Sequence, residues 1–221
     1  MVSYFPLISS VISAVFTILL GVQYIRRRKK HQLMWTIALA MFTLSTALAF
    51  LSEINGWTVL TYQVYYFSVS PMVAFMGAGT LYLLAHKPWG KYFLAYTLIV
   101  SMVFLVLVFT STVDTAQLTA YSPPSDIGGQ PMPSNVRLVS PLLSVPGGLL
   151  LIIGSLYSFY LDKSRKYNLF IALGGASQFF SGLKERFGNP SYFFVFTTVG
   201  VLLLFLGFLL SSEYIRKREK K

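Results

Sequence analysis

The chain has no cysteine, and only seven of its 221 residues are acidic. Without cysteine there is no disulfide, no thiol nucleophile, no iron–sulfur cluster and no cysteine-based zinc site. The long apolar stretches carry no Asp, Glu, Lys, Arg or His near their middles. Ionisable groups inside a membrane are the usual mark of proton relays, ion coupling and counter-ions. Their scarcity argues against a proton pump and against a cation-coupled carrier driven by a carboxylate. The two histidines, His31 and His86, each stand beside lysine with no acidic neighbour in sequence, so both are expected at an interface rather than on a metal. The zincin helix motif, the nucleophile elbow and the phosphate-binding P-loop are all missing. No metal, cofactor or catalytic residue is indicated.

What the chain does have is apolar length. Hydrophobic residues make up 55% of it. They fall into seven runs, at 5–25, 33–51, 60–85, 92–112, 139–161, 167–183 and 192–210. Each is near the ~20 residues that a helix needs to cross a hydrocarbon core. The spacing predicts an all-α fold, a bundle of seven transmembrane helices, in a single integral membrane domain covering 1–221.

The basic residues alternate between the two sides of that bundle. Fifteen of the 18 follow odd-numbered runs, and only Arg137, Lys184 and Arg186 follow even ones. Basic loops face the cytoplasm, so the N-terminus is expected outside, the C-terminus inside, and the protein in the plasma membrane. Met1–Tyr4 is uncharged and the charge follows the first run. A signal peptide has the reverse order, so the first run is expected to be a retained helix.

The net charge of +11 therefore reads as anchoring to anionic lipid, where each Lys or Arg near the surface contributes ~1 kcal/mol, and not as nucleic-acid binding. The densest basic groups are Arg26, Arg27, Arg28, Lys29 and Lys30, then Arg216, Lys217 and Arg218. These are the candidate contacts for anionic lipid or a cytoplasmic partner. The bilayer itself is the expected partner, with another membrane protein or a second copy as further candidates.

The outer loop, 113–140, contains Pro123, Pro124, Pro131 and Pro133 with Gly128 and Gly129. It is expected to be irregular, and its length fits a lid. An offset of 75 residues aligns Pro71 with Pro146, Gly79 with Gly154, Leu81–Tyr82 with Leu156–Tyr157 and Lys91–Tyr92 with Lys166–Tyr167. The third and fourth runs thus look like a parallel copy of the fifth and sixth. Pro71 and Pro146 remove backbone donors and are expected to kink their helices. With Gly147 and Gly148 they are the candidate hinges.

Three stripes of small or polar residues recur at helical spacing. They are Thr36, Thr43, Thr46 and Glu53; Gln63, Tyr66, Ser70 and Gly77; and Ser140, Ser144, Gly148, Ser155 and Ser158. Such stripes let membrane helices approach closely, so helix packing is their default role. The most polar part of the bundle is expected at its outer end, where Glu53, Tyr62, Gln63, Tyr65, Tyr66 and Gln178 would converge as a candidate ligand site. Aromatic belts at the interface are the competing role for Trp57, Tyr62 and Tyr192. A simple ion pair from Glu53 to Lys184 or Arg186 is a further expectation.

The plan of seven helices with an outer N-terminus resembles microbial rhodopsins in outline. The seventh run, Tyr192–Leu210, however, has no lysine to carry retinal. Sugar carriers of the SWEET type share seven helices and a parallel repeat, but their repeat joins three-helix units, and the Pro-Gln pair of related families is missing here. Two functions remain open. One is a non-enzymatic accessory or sensory subunit that binds a lipid, an apolar ligand or a membrane partner. The alternative is a carrier or facilitator for a small neutral solute. An enzyme with Glu53 as general base is less supported, because acid–base catalysis needs a positioned partner.

Overall fold

A computed structural model of the protein describes residues 3–84, 87–186 and 192–219. Among them the fold is all-helical, with eight α-helices and no strand. They are α1 (Phe5–Arg27), α2 (Lys30–Asn55), α3 (Val59–Leu84), α4 (Lys87–Thr110), the short α5 (Thr115–Leu118), α6 (Ser134–Leu161), α7 (Tyr167–Arg186) and α8 (Phe193–Glu219). Most extend beyond the apolar runs of the sequence, because polar flanks continue the same backbone hydrogen bonding.

Six of them, α1, α2, α3, α4, α6 and α8, are long and apolar enough to cross a membrane. The chain is thus a multi-pass membrane protein in outline. Large side chains such as Ile18, Ile99, Met102 and Ile153 are at least 60% exposed, as an apolar solvent allows and water would not. The seventh expected span, α7, does not reach the same apolarity. It ends in Ser-Gly-Leu-Lys-Glu-Arg and carries Gly174, Gly175 and Ser177 at its centre.

The contacts close into a ring. α1 packs on α2, α2 on α3, α3 on α6, α6 on α7, α7 on α8, and α8 returns to α1. α4 lies outside the ring, against α3 and α6. Two seams need glycine because backbone meets backbone. A Cβ at Gly147 of α6 would sit 2.5 Å from the Val73 carbonyl of α3, and one at Gly174 of α7 would sit 2.7 Å from the Gly200 carbonyl of α8. Hydroxyls tie two further seams, α1 to α8 and α1 to α2. Ser9 and Thr198 meet at 2.7 Å, and Thr43 donates to Ser13 at 2.9 Å. Interhelical bonds of this kind contribute about 0.6 kcal/mol each.

The basic segments gather at one end of the ring. Lys30 Nζ lies over the Tyr82 ring, Gln32 donates to Gln23 and Gln23 to Ser212, and Asn168 donates to Ser158. These contacts bring together the ends of α1, α3, α6 and α8 and the starts of α2 and α7. Arg26–Lys30 are all exposed there. The side chains of Arg216, Lys217 and Arg218 lie outside the described residues, as does His86. Between α6 and α7, Asp162 pairs with Arg165 at 3.0 Å. Hydrogen bonds from Ser164 and then Arg165 hold the Asp162 carboxyl below its ordinary range.

At the opposite end the 113–140 loop is irregular, as expected, only between short turns. It contains α5, capped by Asp114 through the N–H groups of Ala116 and Gln117, a 3-10 turn at Pro124–Ile127, and the first turns of α6. Leu118, Ile127, Met132 and Val136 are buried against Trp57, Tyr62 and Tyr65. The apolar residues scattered through this loop are what fold it down as a cap.

Candidate functional site

Inside the ring, α2, α3, α6, α7, α8 and the cap enclose a cavity of about 470 Å³. Its walls run from Ser134 to Leu151 on α6 and from Tyr65 to Met76 on α3, roughly 25 Å and 16 Å at 1.5 Å per residue. The lining thus follows several turns of both helices.

The sequence pattern explains the space. α6 turns its Ser140, Ser144 and Gly148 stripe inward, where larger residues would have filled the gap. The stripe splits by depth. Nearer the basic end Ser155 bonds back to the Leu151 carbonyl and Ser158 receives Asn168 of α7. There the stripe serves packing. Nearer the cap the same stripe lines the cavity, with Ser70 and Ser140 bridging α3 and α6 at 2.6 Å.

The lining is graded. At the deep end are Phe42, Met72, Met76 and Leu151. The middle carries Ser45, Thr46, Ser70 and Gln178. The outer end carries Gly128, Gly129, Gln130, Ser134 and Arg137 with Tyr65 and Tyr66. Gln178 Nε2 is buried without a hydrogen-bond partner. An unmet buried donor costs on the order of 1–3 kcal/mol, so a ligand acceptor that reached it would recover a large term. Among the described residues Arg137 is the single charged residue of the lining.

Of the six side chains expected to converge, Tyr65, Tyr66 and Gln178 line the cavity. The others are engaged elsewhere. Tyr62 is fully buried and its hydroxyl donates to the Gly128 carbonyl at 2.9 Å. Gly128 has φ 56, a left-handed conformation that suits glycine. Gln63 donates to the Val108 carbonyl of α4 at 3.0 Å. Glu53 accepts the N–H groups of Ser3 and Ser125, both at 3.0 Å. It does not form the expected pair with Lys184, which instead lies over the Tyr192 and Phe196 rings. The side chain of Arg186 is outside the described residues.

Trp57 and Tyr62 are not belt residues either. Trp57 is 9% exposed and donates to the Pro124 carbonyl at 2.8 Å, so both rings hold the cap. Tyr192 is 67% exposed.

Helices α3 and α6 run unbroken past Pro71 and Pro146. Gly147 makes the α3–α6 seam, while Gly148 faces Phe179 on the cavity wall. Sequence reasoning missed Arg137, Gln130 and Ser134. Their Pro-rich context reads as loop, and only a helix beginning at Ser134 turns them inward. The cap also holds a pair of acids. Asp126 lies beside Glu53, and burial first and the Glu53 charge second push its pKa up to about 6.

Among the described residues no group of three His, Asp or Glu could hold a metal. Compared with known proteins, the chain matches no family model, no curated protein and no solved structure.

Proposed function

We propose that this protein is a non-enzymatic membrane component, an accessory or sensory subunit, that binds an elongated and largely apolar ligand in the cavity within its ring of helices. The observation that carries the reading is the cavity itself. Its lining follows several turns of α3 and α6, is aromatic and aliphatic in its depth, and is polar at a few defined points, as small-molecule sites are. Among the described residues the lining holds no acid–base pair, which favours binding over catalysis.

The proposal takes the chain to span the plasma membrane seven times, with the cap outside and the basic end in the cytoplasm. Gathering of the basic segments at one end supports this orientation. α7 counts as a span because it sits between α6 and α8, which lets its polar residues face protein while Leu173 and Phe180, each at least 60% exposed, face outward. A duplicated hairpin is supported by one equivalence. Gly79 of α3 makes room for Trp35 of α2, and its counterpart Gly154 of α6 makes room for Thr80 of α3. Each glycine seats its helix on the preceding member of the ring.

A carrier would use the same cavity but would have to open it at the basic end. There Phe16, Leu39, Met76, Leu151, Ile171 and Leu204 pack as one core, which favours holding a ligand over passing it. The test is native mass spectrometry of gently extracted protein. The wild type is expected to retain a discrete small-molecule adduct that Ser144→Trp, which fills the cavity, loses. An adduct equally present in both would overturn the assignment to this cavity, and solute flux into liposomes that Ser144→Trp abolishes would favour the carrier.

A further inference from the structure

The lining is apolar or neutral for most of its length and then ends, beneath the cap, in one cation. Arg137 stands on the first turn of α6, partly buried, with Gln130 and Ser134 beside it in the wall. Among the described residues no carboxylate pairs with it. Glu53 is held by Ser3 and Ser125, Asp126 lies next to Glu53, Asp114 caps α5, and Asp162 is paired with Arg165 at the far end. A guanidinium offers five donors in a planar fork that matches carboxylate or phosphate oxygens.

The lining also extends toward the bilayer. Helices α6 and α7 meet at Ser158–Asn168, Leu151–Gly175 and Gly148–Phe179. Outward of Gly148, residues of both helices line the cavity instead, and among them Leu138 is 65% exposed and Val145 is 37% exposed. Leu138 and Val145 thus carry the cavity lining out to the exposed apolar surface of α6.

Resting on the reading of the cavity as a binding site, we infer that its ligand is a single-chain amphiphile with an anionic headgroup. The headgroup lies on Arg137 beneath the cap, and the chain runs along the Ser140–Ser144–Gly148 face toward Met76 and Leu151. A rounded ligand would not span the lining from Arg137 to Leu151, and a neutral one would leave Arg137, which meets no carboxylate among the described residues, without a counter-charge in a partly buried site. The shared chemistry is an anion on an alkyl chain. The headgroup, carboxylate or phosphate, is for experiment to decide.

The test uses the purified full chain in non-ionic detergent, titrated with palmitate, palmitoyl lysophosphatidate, hexadecanol and inorganic phosphate, and read by native mass spectrometry. At least one anionic amphiphile is expected to bind about tenfold tighter than hexadecanol, and the tighter of the two names the headgroup. Arg137→Gln should erase that preference and leave hexadecanol unchanged. Phosphate alone should not displace the amphiphile. Equal binding of palmitate, lysophosphatidate and hexadecanol to the wild type would overturn the inference, and so would a preference that survives Arg137→Gln or displacement by phosphate alone. If the chains bind equally and Ser144→Trp blocks them all, the cavity remains a binding site and only the anionic class fails. If no chain binds at all, the binding-site reading fails with it.

Discussion

Asp126 is the residue whose charge state the fold controls most visibly. Its carboxyl titrates near 6 rather than 3.8, because it is half-buried in the cap and faces Glu53. A carboxyl with a raised folded value favours the folded state while it is protonated. That contribution is complete below about pH 4 and is lost as pH rises through about 6. Asp126→Asn, which mimics the protonated acid, is therefore expected to raise the melting temperature at pH 7.5 by a few degrees and to change nothing at pH 4. Thermal unfolding in detergent at the two pH values, followed by tryptophan fluorescence, checks this. An equal shift at both would mean that the carboxyl does not sense its surroundings. The aromatic side chains of the same region were visible in the sequence as a cluster, but their roles were not. Trp57 and Tyr62 looked like interface residues because a ring with a polar tip suits either an interface or a buried hydrogen bond. Carbonyls of Pro124 and Gly128, 67 and 66 residues away, decide in favour of the second.

Helix pairing turns on single glycines. At Gly147 an added methyl would meet the Val73 carbonyl and the Ala74 Cα, backbone that cannot swing aside. Gly147→Ala should force α3 and α6 apart and cost about 1–3 kcal/mol. Gly182 of α7 has nothing within 4 Å of its would-be Cβ, so Gly182→Ala should leave stability unchanged or slightly raised. Denaturation of the two variants side by side in one detergent separates them, and an equal loss in both would put the cost in the backbone rather than in the seam. Periodicity alone marked the small-residue face of α6 as a packing face. It could not show that the face divides at Gly148, because this depends on which neighbouring helices meet each half of it. The outer cap shows the reverse failure. Proline and glycine dominate its local signal, so it read as loop. The buried Leu118, Ile127, Met132 and Val136 carry no periodicity by which a short, bent segment could be recognised.

The whole molecule can be mapped without preparatory mutagenesis, because no native cysteine competes with an introduced one. Thr119→Cys and Tyr192→Cys should react with a membrane-impermeant thiol reagent on intact cells, and Ser164→Cys only after permeabilisation. All three positions are exposed. Labelling of Ser164→Cys from outside, together with Tyr192→Cys, would remove α7 from the spans and reverse part of the proposed orientation. What the chain settled by itself is its solvent and its skeleton. Long apolar runs cannot be hidden in a protein of this size, and six helices with the length and apolarity to cross a membrane follow from composition alone. The gathering of positive charge at one end follows from run order, since each helix reverses direction. Tertiary structure alone decided the rest. That α1 meets α8 to close the ring, that α4 is left outside it, and that the ring leaves a cavity reaching Arg137 all depend on which small residues face each other across helices far apart in the chain. Dispersion and hydrogen bonding between surfaces set those choices, and the apolarity that drives each helix into the membrane is blind to its partner.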